Sequence, residues 1–145
     1  MANNNGGRIN ELQVQAFTAE SAISYAGTLI KKGSAAGKVD ICGAGETPIG
    51  FAFGTTKNPV TGVAEANVLV SVQALIEGQT VGIPLKSGNA EIAAWEEVET
   101  VAGGCVDKKD GAGEVVGLAL EAAAASSGGA GKFLLVRIAR RTALA

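Results

Sequence analysis

Residues 39–53 read VDICGAGETPIGFAF, and residues 106–120 read VDKKDGAGEVVGLAL. Both stretches contain V-D, a short spacer, G-A-G-E, a β-branched residue, and then Gly followed by an apolar-Ala-apolar triplet. The groups keep their order with slips of a single residue, which a chance match between Gly-rich and Ala-rich segments does not readily produce. The sequence therefore predicts two related half-units in one chain.

The flanking segments extend this repeat. Each copy is followed by a loop of small or polar residues and then by a long apolar strand, at 67–72 in the first half and 132–138 in the second. Upstream the alignment stays open, because Gly27 matches either Gly78 or Gly82. We predict half-units at about 22–75 and 76–139 inside a single β-rich domain that spans 18–145.

The composition favours strands over helices. The chain has 145 residues, enough to complete one core, but many of its hydrophobic residues are Ala, and 21 residues are Gly. Small side chains suit tight turns and close backbone approach better than a bulky aromatic centre. Residues 67–75 alternate β-branched and small polar side chains, as a strand in a sheet does. The predicted fold is mainly β, a compact body of the β-barrel or β-tulip type.

One segment departs from the strand pattern. Ile92, Trp95 and Val98 recur at helical spacing, Asn89 can cap a helix, and a pair of glycines at 103–104 can end it. These signals predict one short helix at about 90–101.

The N-terminal segment has two possible structures. Residues 1–7 are mostly Asn and Gly, whereas Ile9, Leu12, Val14 and Phe17 place apolar side chains among polar neighbours. The alternation in this segment is typical of a half-buried strand. Such a strand is either the first strand of the domain's own sheet or an arm that pairs with another subunit. We predict an extended arm over 1–17.

The chain lacks the residues of common catalytic and metal sites. It contains no His, which removes the commonest general base and zinc ligand. Gly-rich segments at 43–45, 111–113 and 128–132 fail as nucleotide loops, because a strand and not a helix follows each of them. The two cysteines, Cys42 and Cys105, are expected to be free thiols in a cytosolic setting. We therefore predict no enzymatic activity, no cofactor and no metal.

Charge and hydropathy limit the partners. The formal net charge is -2, with acidic and basic residues mixed along the chain, so no nucleic-acid surface is expected. The N-terminus does not have the features of a secretory signal, and no apolar run is long enough to span a bilayer. We predict synthesis in the cytoplasm and no membrane partner.

The segments 22–30, 48–52, 74–81, 116–120 and 134–138 resemble the small capsid decoration (cement) proteins of tailed bacteriophages. In that group a segment of the type A-I-x-x-G-x-x-V is followed by a V-G-x-A strand, and the order recurs. The resemblance implies a homotrimer on the outside of an icosahedral head, bound to the major capsid protein and stabilising the shell. It also implies a terminal arm that lies on the shell, and a location in the virion.

Two groups of residues are candidates for the partner interface. The first is the arm with its four apolar side chains, and the second is the basic end formed by Arg137, Arg140 and Arg141. As an alternative, Lys31 and Lys32 before Gly33 suggest a biotinyl- or lipoyl-like carrier or another small β-barrel binding module, although the Met or acidic neighbour typical of carrier motifs is missing.

The predicted absence of nucleotide and metal sites can be tested directly. We expect ATP, NAD and zinc to leave the melting temperature unchanged, because the sequence offers no site for them. A ligand at about 100 times its dissociation constant would add roughly 2.7 kcal/mol to the free energy of unfolding, which a thermal scan detects readily. A shift of several degrees with any of the three would contradict the prediction.

Overall fold

The computed structural model describes residues 14–111 and 113–141, which form ten strands and one short 3-10 segment, Ala102–Gly104. The prediction of a mainly β fold is confirmed. The strands are β1 Val14–Ala19, β2 Leu29–Lys32, β3 Lys38–Ile41, β4 Gly50–Ala52, β5 Val68–Ala74, β6 Thr80–Pro84, β7 Glu97–Val101, β8 Cys105–Lys108, β9 Val115–Ala119 and β10 Phe133–Arg141.

The first five strands close into a barrel in the order β1-β3-β2-β4-β5. β1 runs antiparallel to β5 along its whole length, from Val14 opposite Gln73 onward. On its other side β1 meets β3 in parallel over two residues only, with Ala19 opposite Val39. This short parallel contact closes the barrel.

The last five strands form a second sheet in the order β6-β10-β9-β7-β8. Read in the other direction around the closed ring, the order of the barrel is β1-β5-β4-β2-β3. The second sheet has the same order, with β6 in the place of β1 and β7 to β10 in the places of β2 to β5. The edge strand β6 and the edge strand β8 meet at one parallel bridge, Leu85 opposite Val106, the counterpart of the contact between Ala19 and Val39. The second sheet is thus a second barrel with the same topology, and this single bridge closes it.

The strand register shows that the two similar stretches are structural equivalents. Gly50 lies opposite Ala74 on β5, and Gly117 lies opposite Ile138 on β10. The V-D pairs correspond as well, since Val39 and Val106 make the two parallel closing contacts. The predicted internal repeat is confirmed.

The repeated aspartate of V-D tethers a loop. Asp40 accepts hydrogen bonds through Oδ1 from the Ser21 hydroxyl at 2.6 Å and from its neighbour's amide. Asp107 accepts through Oδ1 from the Ala90 amide at 3.0 Å. Ser21 and Ala90 lie in the connections that leave β1 and β6, so each aspartate holds the chain as it crosses the barrel.

The repeated Gly of G-x-A allows close strand approach. A Cβ atom at Gly50 would lie 2.3 Å from the carbonyl oxygen of Gln73, and one at Gly117 would lie 2.0 Å from that of Arg137. These are backbone atoms, so they cannot swing aside. Any side chain at these two positions would push the central strands of each barrel apart.

The two barrels pack into one body. Leu29, Cys42 and Phe51 of the first barrel belong to the same buried cluster as the interior of the second barrel, including Ile83 and Leu85. The interior of the first barrel is a separate cluster around Ile30, Val39 and Val70.

Backbone contacts reinforce the junction between the barrels. The Gly104 amide donates to the Cys42 carbonyl oxygen at 2.8 Å. Gly27 lies against Gly82 so closely that a Cβ atom at Gly27 would be 2.0 Å from the Gly82 carbonyl oxygen.

The predicted helix at about 90–101 is wrong. Ile92 forms an antiparallel bridge with Ala123, and the chain then enters strand β7. Ile92 and Val98 are buried, whereas Trp95 between them is 59% exposed and has a positive φ of 70°. Ile92 and Val98 are two inward-facing residues on either side of a turn, so their helical spacing is a coincidence. Asn89 caps no helix; its side-chain amide donates to the Ala124 carbonyl at 3.0 Å.

The true counterpart of Gly27 is Trp95. The Gly27 amide donates to the Ala52 carbonyl at 2.7 Å, and the Trp95 amide donates to the Ala119 carbonyl at 2.6 Å. Both residues have positive φ, 91° and 70°. Neither Gly78 nor Gly82 therefore aligns with Gly27. The connection from the first to the second strand is longer in the second barrel, which hides the match in the sequence.

The register predicts which glycines are essential. Gly117→Ala and Gly50→Ala should each lower the free energy of unfolding by about 2 kcal/mol or more, because the new methyl group meets a backbone carbonyl. Gly54→Ala is the matched control, since Gly54 has open space around it and no positive φ. Urea denaturation measures all three. A Gly117→Ala variant as stable as Gly54→Ala would contradict the assigned register.

Candidate partner-binding surfaces

The predicted basic end does not form one free cationic surface. Arg140 donates through Nη2 and Nε to Glu114 Oε1, at 2.6 and 3.0 Å, and its backbone amide donates to Glu77. Arg137 is exposed on the outer face of β10 and makes no ion pair with any described residue. Arg141 ends β10, and its side chain lies outside the described part. Arg140 is therefore bound within the chain, and Arg137 is the accessible one of the two arginines of this end whose side chains the structure describes.

The predicted arm is corrected from Val14 onward. Val14 and Phe17 lie in β1 of the chain's own barrel, where Phe17 is half-buried against the core. The alternation of this segment thus belongs to the domain's first strand. Ile9 and Leu12 lie outside the described residues.

β1 nevertheless keeps an open edge. The Thr18 amide donates to the Gly37 carbonyl oxygen, so the even-numbered residues of β1 face the β3 side. β3 pairs only with Thr18 and Ala19. The backbone groups of Val14 and Ala16 therefore point to a side where no strand among the described residues pairs with them.

The lysines of the carrier alternative lie in a strand and not at the tip of a turn. Lys31 and Lys32 are the last two residues of β2. The Lys31 ammonium forms an ion pair with Glu46, and this hydrogen bond raises the pKa of Lys31 and lowers that of Glu46. Lys31 is therefore engaged within the chain, so the geometry does not favour modification there.

The two cysteines are free thiols of low reactivity. Cys42 is fully buried in the core that the barrels share, and this burial raises the pKa of its thiol to about 11. Burial also raises the pKa of Cys105. A raised pKa keeps the sulfur protonated at neutral pH, which makes it a poor nucleophile.

The part of the chain that the structure describes contains no group of three Cys, Asp or Glu side chains placed to hold a metal ion. Within the same residues, no helix has the length and apolar character needed to cross a bilayer.

Two clefts lie between the barrels. One has a volume of about 300 Å³ and is lined mainly by apolar residues, among them Ile23, Tyr25 and Leu85. The other, about 400 Å³, lies between Phe53 and Gln73 of the first barrel and Thr80 and Gly82 of the second. Phe53 thus marks the edge of the first barrel where it faces β6.

Four large apolar side chains are exposed on β5, on β10 and just after β4, and we call them the apolar band: Phe53, Leu69, Phe133 and Leu135. Phe53 lines the second cleft. Leu135 lies beside Gly82, with its Cδ2 4.0 Å from where a Gly82 Cβ would stand. Phe133 follows along β10 and meets the Tyr25 ring edge-on, at 6.0 Å between centroids.

The apolar band did not emerge from the sequence. Its members alternate with buried residues along ordinary strands, and sequence alternation does not show which of two faces is covered. The one available signal was that Phe53 and Leu69 recur as Leu120 and Phe133 in the repeat.

The fold has a counterpart among solved structures. The chain is similar to the crystal structure of the head fiber gp8.5 N base in bacteriophage phi29, with a TM-score of 0.58 and 16% sequence identity. The match covers 91% of this chain and 97% of that one. The two chains share one fold. No family model matches the chain, and no curated protein matches its sequence.

Two truncations test the corrected boundary. Deleting residues 1–13 leaves β1 intact, so the shortened chain should fold. Deleting residues 1–17 removes most of β1 and exposes the ladder of β5, so the first barrel should unfold. Circular dichroism and urea denaturation distinguish the two variants. Equal stability of both would show that β1 is dispensable and would contradict its place in the barrel.

Proposed function

We propose that this chain is a structural protein of a phage virion that binds the outside of the capsid. The observation that carries the proposal is the shared fold with the phi29 head fiber N base, which extends over nearly the whole of both chains. The sequence resemblance to phage decoration proteins supports the same role independently, because it rests on short motifs and not on the fold.

The chemistry of the described residues supports a role without catalysis. The chain has no His, and its two thiols have raised pKa values. The repeated V-D and G-x-A motifs have structural roles, because they tether loops and allow close strand packing. A virion protein of this kind requires a stable body and a binding surface, and the twin barrels provide both.

We propose further that the chain acts as a homotrimer that binds the major capsid protein and stabilises the shell. Three linked copies convert weak contacts into strong attachment through effective concentration, a gain of about 10²-fold or more without any new kind of contact. The β1 edge and the apolar band are surfaces through which such contacts can form.

The oligomeric mass and shell binding test this proposal together. Light scattering should give the mass of three chains of 14.4 kDa each. The purified chain should sediment with empty shells assembled from the major capsid protein of its own virus, and the shells should melt at a higher temperature when it is bound, because a ligand of the assembled state stabilises that state.

Each outcome has a distinct meaning. A trimer that does not sediment with shells would overturn the capsid role. A monomer that binds shells would leave that role standing and overturn the trimer. A monomer carrying a covalent group on Lys31 or Lys32 would favour the carrier alternative.

A further inference from the structure

One contact inside the chain joins a turn of the first barrel to a strand edge of the second. The turn at Gly27 lies so close to β6 that a Cβ atom there would be 2.0 Å from the Gly82 carbonyl oxygen. Leu29 and Phe51 continue this contact into the buried cluster of the second barrel, where Ile83 is fully buried. The first barrel thus covers the outer edge of β6.

The first barrel has the same edge without a cover. Ala16 on β1 lies opposite Ser71, and Gly82 on β6 lies opposite Leu135. Ser71 and Leu135 correspond, because each lies three residues before the residue that faces the repeated glycine. Ala16 is therefore the counterpart of Gly82, yet it is exposed, and Phe17 beside it is only half-buried. No strand among the described residues pairs with the outward backbone groups of Ala16.

The second barrel has the same turn without a contact of this kind. Trp95 is the counterpart of Gly27, because the two amides donate to equivalent carbonyl oxygens. Its side chain is 59% exposed, and its φ of 70° is unfavourable for a bulky residue, whereas glycine adopts it freely. Strained residues occur most often at functional sites, and tryptophan is enriched among residues that anchor protein interfaces. The exposed indole therefore indicates a contact outside the chain.

We propose that the Trp95 turn of one copy of this chain lies on the β1 edge of the next copy, at Ala16. The occupant is a second copy because the chain makes the turn-on-edge contact once internally and leaves one open half of it on each barrel. Such a contact joins two different surfaces, so the copies associate head to tail and close into a ring. The inference rests on the homotrimer proposed above and names the surfaces that join its three copies.

The contact between copies differs in kind from the internal one. It is made through the indole and not through close backbone approach, because Trp95 has a side chain where Gly27 has none. Glu97 stands where the first barrel has Leu29, so the surroundings of the turn are more polar than the internal seam. Each contact is therefore weaker, and the ring holds because its last contact forms within one assembly at high effective concentration. We expect an association that reverses on dilution.

Trp95 is the single tryptophan of the chain, so its fluorescence reports on the contact directly. At high concentration the emission should lie at the short wavelength of a buried indole. On dilution it should shift to longer wavelength over the same range in which light scattering shows the mass falling from three chains to one. An indole that remains fully exposed in a trimer would overturn the inference.

Substitutions on both sides of the contact give a second test. Trp95→Gly should fold, because glycine adopts the positive φ without strain, and its association should weaken about thirtyfold or more. Ala16→Lys should weaken association to a similar extent, because a charged side chain on a strand edge opposes pairing. Val60→Ser is the matched control, since Val60 is 91% exposed on the loop between β4 and β5. Its association should stay within about twofold of the unaltered chain.

Paired cysteines test the head-to-tail order. The background is Cys105→Ser, in which the remaining native thiol, Cys42, is buried. On mild oxidation, the variant with both Ala16→Cys and Trp95→Cys should form disulfide-linked dimers and trimers, and each single variant should run as a monomer on a denaturing gel. Linked dimers of a single variant would show that like surfaces meet, and an unlinked double variant would show that the two surfaces do not. Either result overturns the inference.

The outcomes separate this inference from the proposed function. A chain that stays monomeric at every concentration overturns both the trimer and this inference, while sedimentation with shells still decides the capsid role. A trimer that Trp95→Gly and Ala16→Lys leave unchanged overturns this inference alone. Urea denaturation checks that each variant is folded.

Discussion

Close backbone approach at Gly50 and Gly117 is the constraint on which each barrel depends. The carbonyl oxygens of Gln73 and Arg137 occupy the space that any larger residue would need. Ala19, Ala52 and Ala119 are fully buried in the barrel interiors, where they pack beside larger residues such as Ile30 and Ile138. Small residues at these places, together with the two glycines, let the strands of each barrel approach closely.

The junction makes a single body of the two barrels. Phe51 and Leu29 enter the core of the second barrel, and Cys42 beside them is fully buried, which raises the pKa of its thiol. Because the contact is made by buried side chains and by backbone hydrogen bonds, the barrels hold a constant spacing.

Sequence reasoning succeeded where the backbone itself dictates residue type. V-D and G-x-A recur because each barrel needs a loop tether and a close strand contact at the same place, so the repeat could be predicted with its register. It failed where a single residue departs from its counterpart. Trp95 replaces a glycine and joins Ile92 and Val98 in an apparent helical period, although the chain there turns and enters a strand.

The candidate interface was harder to predict for a different reason. Arg140 looked free because its partner, Glu114, is distant in the sequence. Leu69 looked like any strand residue because only the assembled barrels show which face remains uncovered. Surface sites depend on contacts between distant segments, and a pattern along the chain does not record them.

Trp95 also decides how far the architecture can be extended. The first barrel docks on the second through Gly27, where even a methyl group would strike the Gly82 carbonyl. The second barrel carries an indole at that point, with Glu97 close by in place of Leu29, so no further unit can stack on it in the same way. Tandem units that share such a seam would otherwise be free to grow into open filaments. At this point of the second barrel, Trp95 and Glu97 therefore prevent the kind of close backbone contact that Gly27 makes with Gly82.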